Sequence, residues 1–270
     1  IVFGDWSSDV CSSDLVMGTG GVGGYYGGLF SQIGHDVFFV ARGAHLEAIQ
    51  ENGLQVKSVF GDFSVSPAWA GEDPAEFGPA DLVLFCTKTY DTEPAALKIK
   101  PVVRDHTVVM SFQNGVDSAE RIGAVVGKEH LLGSATWISS LIEAPGVVQH
   151  LSQFRRVAIG ELDGKPSARL DEICQVWQEL GVELECKENI QKILWTKFIF
   201  ISALSGVGSL VRLPVGDYRS IPETRSMLAS LMREVEAVAR AQGIRLDSDI
   251  VRRTLVFIDQ ASPQLRPSMQ

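Results

Sequence analysis

The chain is 270 residues long, 45% of them hydrophobic and 21% charged. That balance builds packed cores rather than disordered segments, and the length suits one large domain or two ordinary ones. The net charge of −9 argues against a nucleic-acid or anionic-membrane partner, since either calls for a basic face.

The four cysteines, Cys11, Cys86, Cys174 and Cys186, form no CxxC pair and have no histidine run nearby. They read as buried thiols of a reducing, cytoplasmic compartment rather than as disulfides or zinc ligands. No apolar stretch approaches the roughly 18 residues that cross a bilayer.

The first segment is anomalous. Residues 5–15, DWSSDVCSSDL, run directly into Val16-Met17-Gly18. A strand feeding a glycine-rich turn in a parallel sheet should be continuously apolar. Ser12, Ser13 and Asp14 break that rule, at about 1–3 kcal/mol for each unpaired polar group. The segment matches the translation of a common sequencing adapter in one reading frame, so residues up to about Leu15 are expected to be non-native.

From Val16 onward the elements alternate. A strand ending at Met17 is followed by the turn Gly18 to Gly23, a helix from Tyr25 to Ile33 and a strand over Asp36 to Val40. A helix from Ala44 to Glu51 precedes a hairpin of Leu54 to Val59 with Asp62 to Val65. Further strands fall at Asp81 to Cys86, Thr107 to Ser111, Gly133 to Ile138, Val147 to His150, Val157 to Ile159 and Val182 to Cys186. A helix spans Ser167 to Leu180. Strand, helix, strand at this spacing predicts an α/β fold with a Rossmann-type doubly wound sheet over residues 1–188.

Residues 189–270 read as all-α, with helices at Ile190 to Leu204, Pro222 to Gln242 and Asp249 to Gln260. Ser220 and Glu223 form a capping box for the second of these, and Gly243 ends it.

Three features carry chemistry. Gly18, Gly20 and Gly23 make GxGxxG between a strand and a helix, the pattern that brings backbone N–H groups against a pyrophosphate. Arg42 ends the next strand where an NAD site usually has an acid. A guanidinium there binds a 2′-phosphate, so the cofactor reading is NADPH/NADP, and a methyltransferase is disfavoured. Cys86-Thr87-Lys88 and Gln113-Asn114-Gly115 follow strands at what would be the same edge.

Lys197 lies in ILWTKFIFI, a helix apolar on nearly every side. Such a lysine must snorkel, pair with an acid or line a cleft; burial lowers its pKa toward a range useful for proton transfer.

GTGGVG, Arg42, CTK at 86–88, QNG at 113–115, WTKF at 195–198 and PSMQ at 267–270 occur in the order and spacing of the ketopantoate reductase (2-dehydropantoate 2-reductase) family, which the chain resembles from Val16 to Gln270. The resemblance implies a Rossmann domain, a helical catalytic domain with the site in the cleft between them, NADPH as hydride donor, and a role in pantothenate and coenzyme A synthesis. It implies that Gly18, Thr19, Gly20, Gly21, Val22, Gly23, Arg42, Lys88, Asn114 and Ser139 contact cofactor. It makes Lys197 the general acid, with Asn114, Lys197, Ser205 and Ser268 at the substrate and no metal.

Two departures stand out. Ile201 and Ser205 occupy positions where the family typically has asparagines, which leaves a different 2-oxo acid open as substrate. The family also carries a catalytic glutamate beyond the PSMQ segment, so the helical domain is expected to be incomplete and the chain nearly inactive as it stands. Competing readings are another two-domain dehydrogenase, acting on a β-hydroxyacid or glycerol 3-phosphate, and a non-catalytic NADP-binding module. The expected partner is a small 2-oxo acid, with no nucleic acid or membrane, and a homodimer is left open.

Overall fold

The structure is a computed structural model describing residues 12–267. The adapter-like residues 5–11 and the proposed substrate ligand Ser268 lie outside the described residues.

The chain divides into two compact units, one reaching Ile190 and the other starting at Gln191. The first opens with β1 (Ser13–Met17), α1 (Gly21–Gln32), β2 (Asp36–Val40) and α2 (Gly43–Asn52). Short strands β3 (Leu54–Ser58), β4 (Phe63–Val65) and β5 (Trp69–Gly71) precede β6 (Leu82–Phe85), α3 (Thr92–Ile99), β7 (Val108–Ser111) and α4 (Ser118–Val126). The unit closes with β8 (Leu131–Trp137), β9 (Ser140–Ala144), β10 (Val147–His150), β11 (Arg156–Glu161), α5 (Ala168–Glu179) and β12 (Glu183–Cys186).

Eight strands form one sheet in the order β12-β11-β8-β7-β6-β1-β2-β5, and β4-β3-β10-β9 form a second. All neighbours in the large sheet are parallel except β8 and β11. Alternate residues of its central strands enter separate cores. Val16, Phe39, Leu84 and Met110 pack in one; Leu15, Met17, Phe38, Phe85 and Val109 pack in the other. Both faces are therefore covered, which explains the apolar runs in β2, β6 and β7.

The polar half of β1 is not left unpartnered, contrary to the expectation from its sequence. The Ser12 hydroxyl donates to Asp14 Oδ1 at 2.8 Å, and His35 Nδ1 lies 2.6 Å from Asp14 Oδ2. Asp81 accepts from the Ser13 N–H at 2.9 Å. Burial still pushes the Asp14 carboxyl above its ordinary pKa.

The thiol reading also needs correction. Cys174 and Cys186 are joined in a disulfide, with Cα atoms 6.5 Å apart, because α5 packs its inner face beside the edge strand β12. Cys86 is a free cysteine.

The second unit contains α6 (Ile190–Val211), α7 (Val215–Tyr218), α8 (Pro222–Ala241) and α9 (Ile250–Gln260). α6 runs seven residues past the expected end at Leu204. Buried Val207 and Gly208 carry it through two glycines whose helix penalty is about 1 kcal/mol each. An 18-residue window of this 22-residue helix reaches a mean hydropathy of 1.5, so by length and composition it could cross a membrane, contrary to the expectation that no stretch approaches that length.

The capping box does not form. The N-cap of α8 is Ile221, with no side-chain cap. Pro222 forces the residue before it into extended backbone, which moves the cap one position past Ser220.

Candidate functional site

The register of the large sheet brings four strand ends level. Met17 pairs with Val40 and with Phe85, and Phe85 pairs with Ser111. The segments starting at Gly18, Ala41, Cys86 and Phe112 thus leave one edge side by side. β1 lies between β2 and β6, where the strand order reverses, and a crevice opens at that point in doubly wound sheets.

A cleft of about 370 Å³ occupies this edge of the first unit. Gly18, Thr19, Gly20, Arg42 and Lys88 line it, together with His45, Glu72, Tyr90, Asp91, Lys98 and Ile142. Gly21, Val22 and Gly23 form the first turn of α1 behind it. Asn114 and Ser139 are exposed and do not line it.

The loop is shaped by specific contacts. Gly18 adopts φ +99°, which an L side chain resists. The Gly20 N–H donates to the Gly18 carbonyl at 2.8 Å, while Thr19 gives both its N–H and its hydroxyl to the Val40 carbonyl, at 2.9 and 3.0 Å. A Cβ on Gly23 would stand 2.3 Å from the Gly18 oxygen, and one on Gly21 would stand 2.5 Å from the Ser140 backbone. At Gly20 a Cβ would meet nothing within 4 Å. The N-terminus of α1 therefore faces open space with no side-chain cap, and its first-turn N–H groups suit an anion.

Arg42 is exposed and reaches Asp91 Oδ2 at 3.6 Å. Gln113, rather than Asn114, organises the neighbouring loop. Its Nε2 donates to the Thr87 carbonyl and to Thr92 Oγ1, each at 3.0 Å, fixing the segment that carries Lys88. Burial raises the pKa of the Cys86 thiol, so it lines the cleft in protonated form at neutral pH.

In the second unit, Lys197 lies partly buried on α6. Burial pushes its ammonium down to about 8. Ile201 and Ser205 follow at four-residue intervals, on the same side of the helix. The Trp195 and Phe198 rings meet edge to face beside it at 5.9 Å.

The family model "Ketopantoate reductase PanE/ApbA" matches residues 15–164, and "Ketopantoate reductase PanE/ApbA C terminal" matches residues 189–270. The chain belongs to the ketopantoate reductase family.

Among similar proteins, a 2-dehydropantoate 2-reductase of Mesorhizobium japonicum is 30% identical, covering 88% of this chain and 79% of the relative. "Uncharacterized oxidoreductase YkpB" of Bacillus subtilis is 29% identical, over 94% of this chain and 84% of that one. A crystal structure of 2-dehydropantoate 2-reductase from Geobacter metallireducens matches with a TM-score of 0.88 and 30% identity, covering 95% of this chain and 85% of the other. This member of the ketopantoate reductase family is accordingly an NADP-dependent oxidoreductase.

The cleft residues absent from the sequence reading include His45, Glu72, Tyr90, Asp91, Lys98 and Ile142. His45 had a local signal: it stands on the first turn of α2, directly after the Arg42 cap. Glu72 and Ile142 arrive from distant strands and had none.

Proposed function

We propose that this protein reduces 2-dehydropantoate to pantoate with NADPH, in the synthesis of pantothenate and coenzyme A in the cytoplasm. The observation that carries the reading is Lys197, an ammonium held on an apolar helix with its pKa lowered to about 8. A group that titrates near the working pH is a competent general acid.

Arg42 takes the 2′-phosphate and Lys88 lies beside the dinucleotide, with the N–H groups of the Gly18–Gly23 turn on the pyrophosphate. Bound NADPH supplies the hydride to the keto carbon. Lys197 donates its proton to the keto oxygen, and its positive charge stabilises the negative charge building there. Asn114, Ser205 and Ser268 orient the substrate.

One observation favours a second reading, a different 2-oxo acid. Ile201 stands one turn beyond Lys197 and presents no hydrogen-bonding group. NADPH oxidation by the purified protein, with 2-dehydropantoate set against smaller and bulkier 2-oxo acids, tests both. The highest kcat/KM with 2-dehydropantoate supports the first reading; a clear preference for another acid replaces it with the second. Substituting Lys197→Ala should lower kcat by about 100-fold or more while NADPH still binds. Retained turnover would remove Lys197 from the chemistry.

A further inference from the structure

His45 stands on the first turn of α2, three residues after Arg42, and lines the cleft. Its Nδ1 accepts the backbone N–H of Gly146 at 2.9 Å. A backbone N–H can only donate, so Nδ1 must carry the lone pair and the ring proton must sit on Nε2. The imidazole is therefore a neutral donor of defined tautomer. Its Nε2 is buried without a hydrogen-bond partner, and the Thr19 backbone nearby opposes the lowering of its pKa by burial.

Thr19 is the hinge of the glycine turn. Its N–H and hydroxyl are already held by the Val40 carbonyl, and the following N–H, of Gly20, is held by Gly18. The Thr19 carbonyl belongs to the same peptide plane as the Gly20 N–H, so restraining one orients the other. That plane sets the direction of the α1 N-terminus. The Gly146 end of the bridge belongs to the turn between β9 and β10, and β9 also crosses Gly21 and brings Ile142 to the cleft.

We propose that His45 is a positioning residue for the dinucleotide. As a neutral imidazole it ties the Gly146 turn to the Thr19–Gly20 peptide and presets the loop that receives the phosphates. The Nε2–H contact with the Thr19 carbonyl closes to a hydrogen bond when the cofactor is held. Presetting a loop lowers the ordering cost of binding, so the effect falls on cofactor affinity and not on the chemical step.

This inference rests on the reading of the cleft as the dinucleotide site, and the experiment separates the two. NADPH affinity is measured by fluorescence titration for the full chain, for Arg42→Ala, for His45→Phe and for His45→Gln, with the melting temperature of each. Phe keeps the ring and removes both nitrogens, whereas the Gln amide offers an acceptor and a donor.

His45→Phe should weaken NADPH about tenfold, the worth of one hydrogen bond. His45→Gln should recover most of that loss, and kcat at saturating NADPH should be unchanged in both. Two results overturn the proposal: NADPH affinity unaltered in His45→Phe, or an equal loss in both variants that tracks their melting temperatures. If neither Arg42→Ala nor His45→Phe alters binding, the cleft itself is not the cofactor site.

Discussion

Gly20 and Gly23 belong to one motif but face different surroundings, so the same substitution should act on different properties. A methyl at Gly20 meets no neighbour, and φ −88°, ψ −162° is open to any residue. The methyl would occupy space that the phosphates need. Gly20→Ala should keep its melting temperature within a degree or two while weakening NADPH at least tenfold. At Gly23 the methyl meets the Gly18 carbonyl at 2.3 Å, so Gly23→Ala should unfold at lower denaturant, by on the order of 1–3 kcal/mol. Paired denaturation and titration experiments check this, and the reverse pattern would misplace the cleft.

Arg42 makes a second residue-scale case. On the proposed reading, its exposed pairing with Asp91 at 3.6 Å would compete with a 2′-phosphate. Arg42→Ala should weaken NADPH by about 10- to 100-fold and NADH far less. Asp91→Asn should shift the preference the other way, by only about threefold, because solvent screens the pair. Affinities for both dinucleotides, measured at two salt concentrations, decide it.

At the scale of elements, α6 combines an apolar surface with a lysine whose charge it disfavours. The folded pKa of about 8 lies below the unfolded value near 10.4. Between those values the unfolded chain holds more protons, so stability rises with pH across that window. Below pH 8 the buried charge carries its full cost. Lys197→Met should therefore stabilise the protein at pH 7, by on the order of 1–3 kcal/mol, with the gain vanishing by about pH 10.5. On the proposed general-acid role, catalysis should run the opposite way: the acid must be protonated, so kcat should fall as pH rises past about 8. Urea denaturation across pH, alongside the pH–rate profile, tests the two limbs. A stability gain independent of pH would show that the lysine is not titrating there.

The same scale explains what sequence could and could not convey. The glycine turn was legible as a strand–turn–helix passage because its demands lie in the local backbone, Gly18 with φ +99° and Gly23 close against the Gly18 carbonyl. The partners of Asp14 and Ser13 are 21 and 68 residues distant, at His35 and Asp81, so β1 looked too polar for a sheet centre. The Cys174–Cys186 bond depends on α5 lying beside β12. The Gly146 partner of His45 is 101 residues away. α6 outran its expected end because burial outweighed local glycine propensity.

For the whole molecule, the two large hydrophobic cores consist entirely of residues between Leu15 and Leu184, all in the first unit. The second unit buries its own set, including Ile199, Ala203, Val207, Tyr218, Leu228 and Met232. Two cores without shared members favour two unfolding transitions, and a single free energy of unfolding would then not describe the chain. The glycine turn, Arg42 and Lys88 all belong to the first unit. A ligand that binds one folded unit stabilises it by mass action, by about 2.7 kcal/mol at a concentration 100 times its Kd. Calorimetry with and without saturating NADPH should therefore show one transition moving upward by several degrees and the other moving much less. Trp195 is the tryptophan of the helical unit, with Trp69, Trp137 and Trp177 in the described part of the first, so Trp195→Phe identifies which transition is which by its fluorescence. If both transitions rise together with NADPH, or only one transition exists, the units unfold as one.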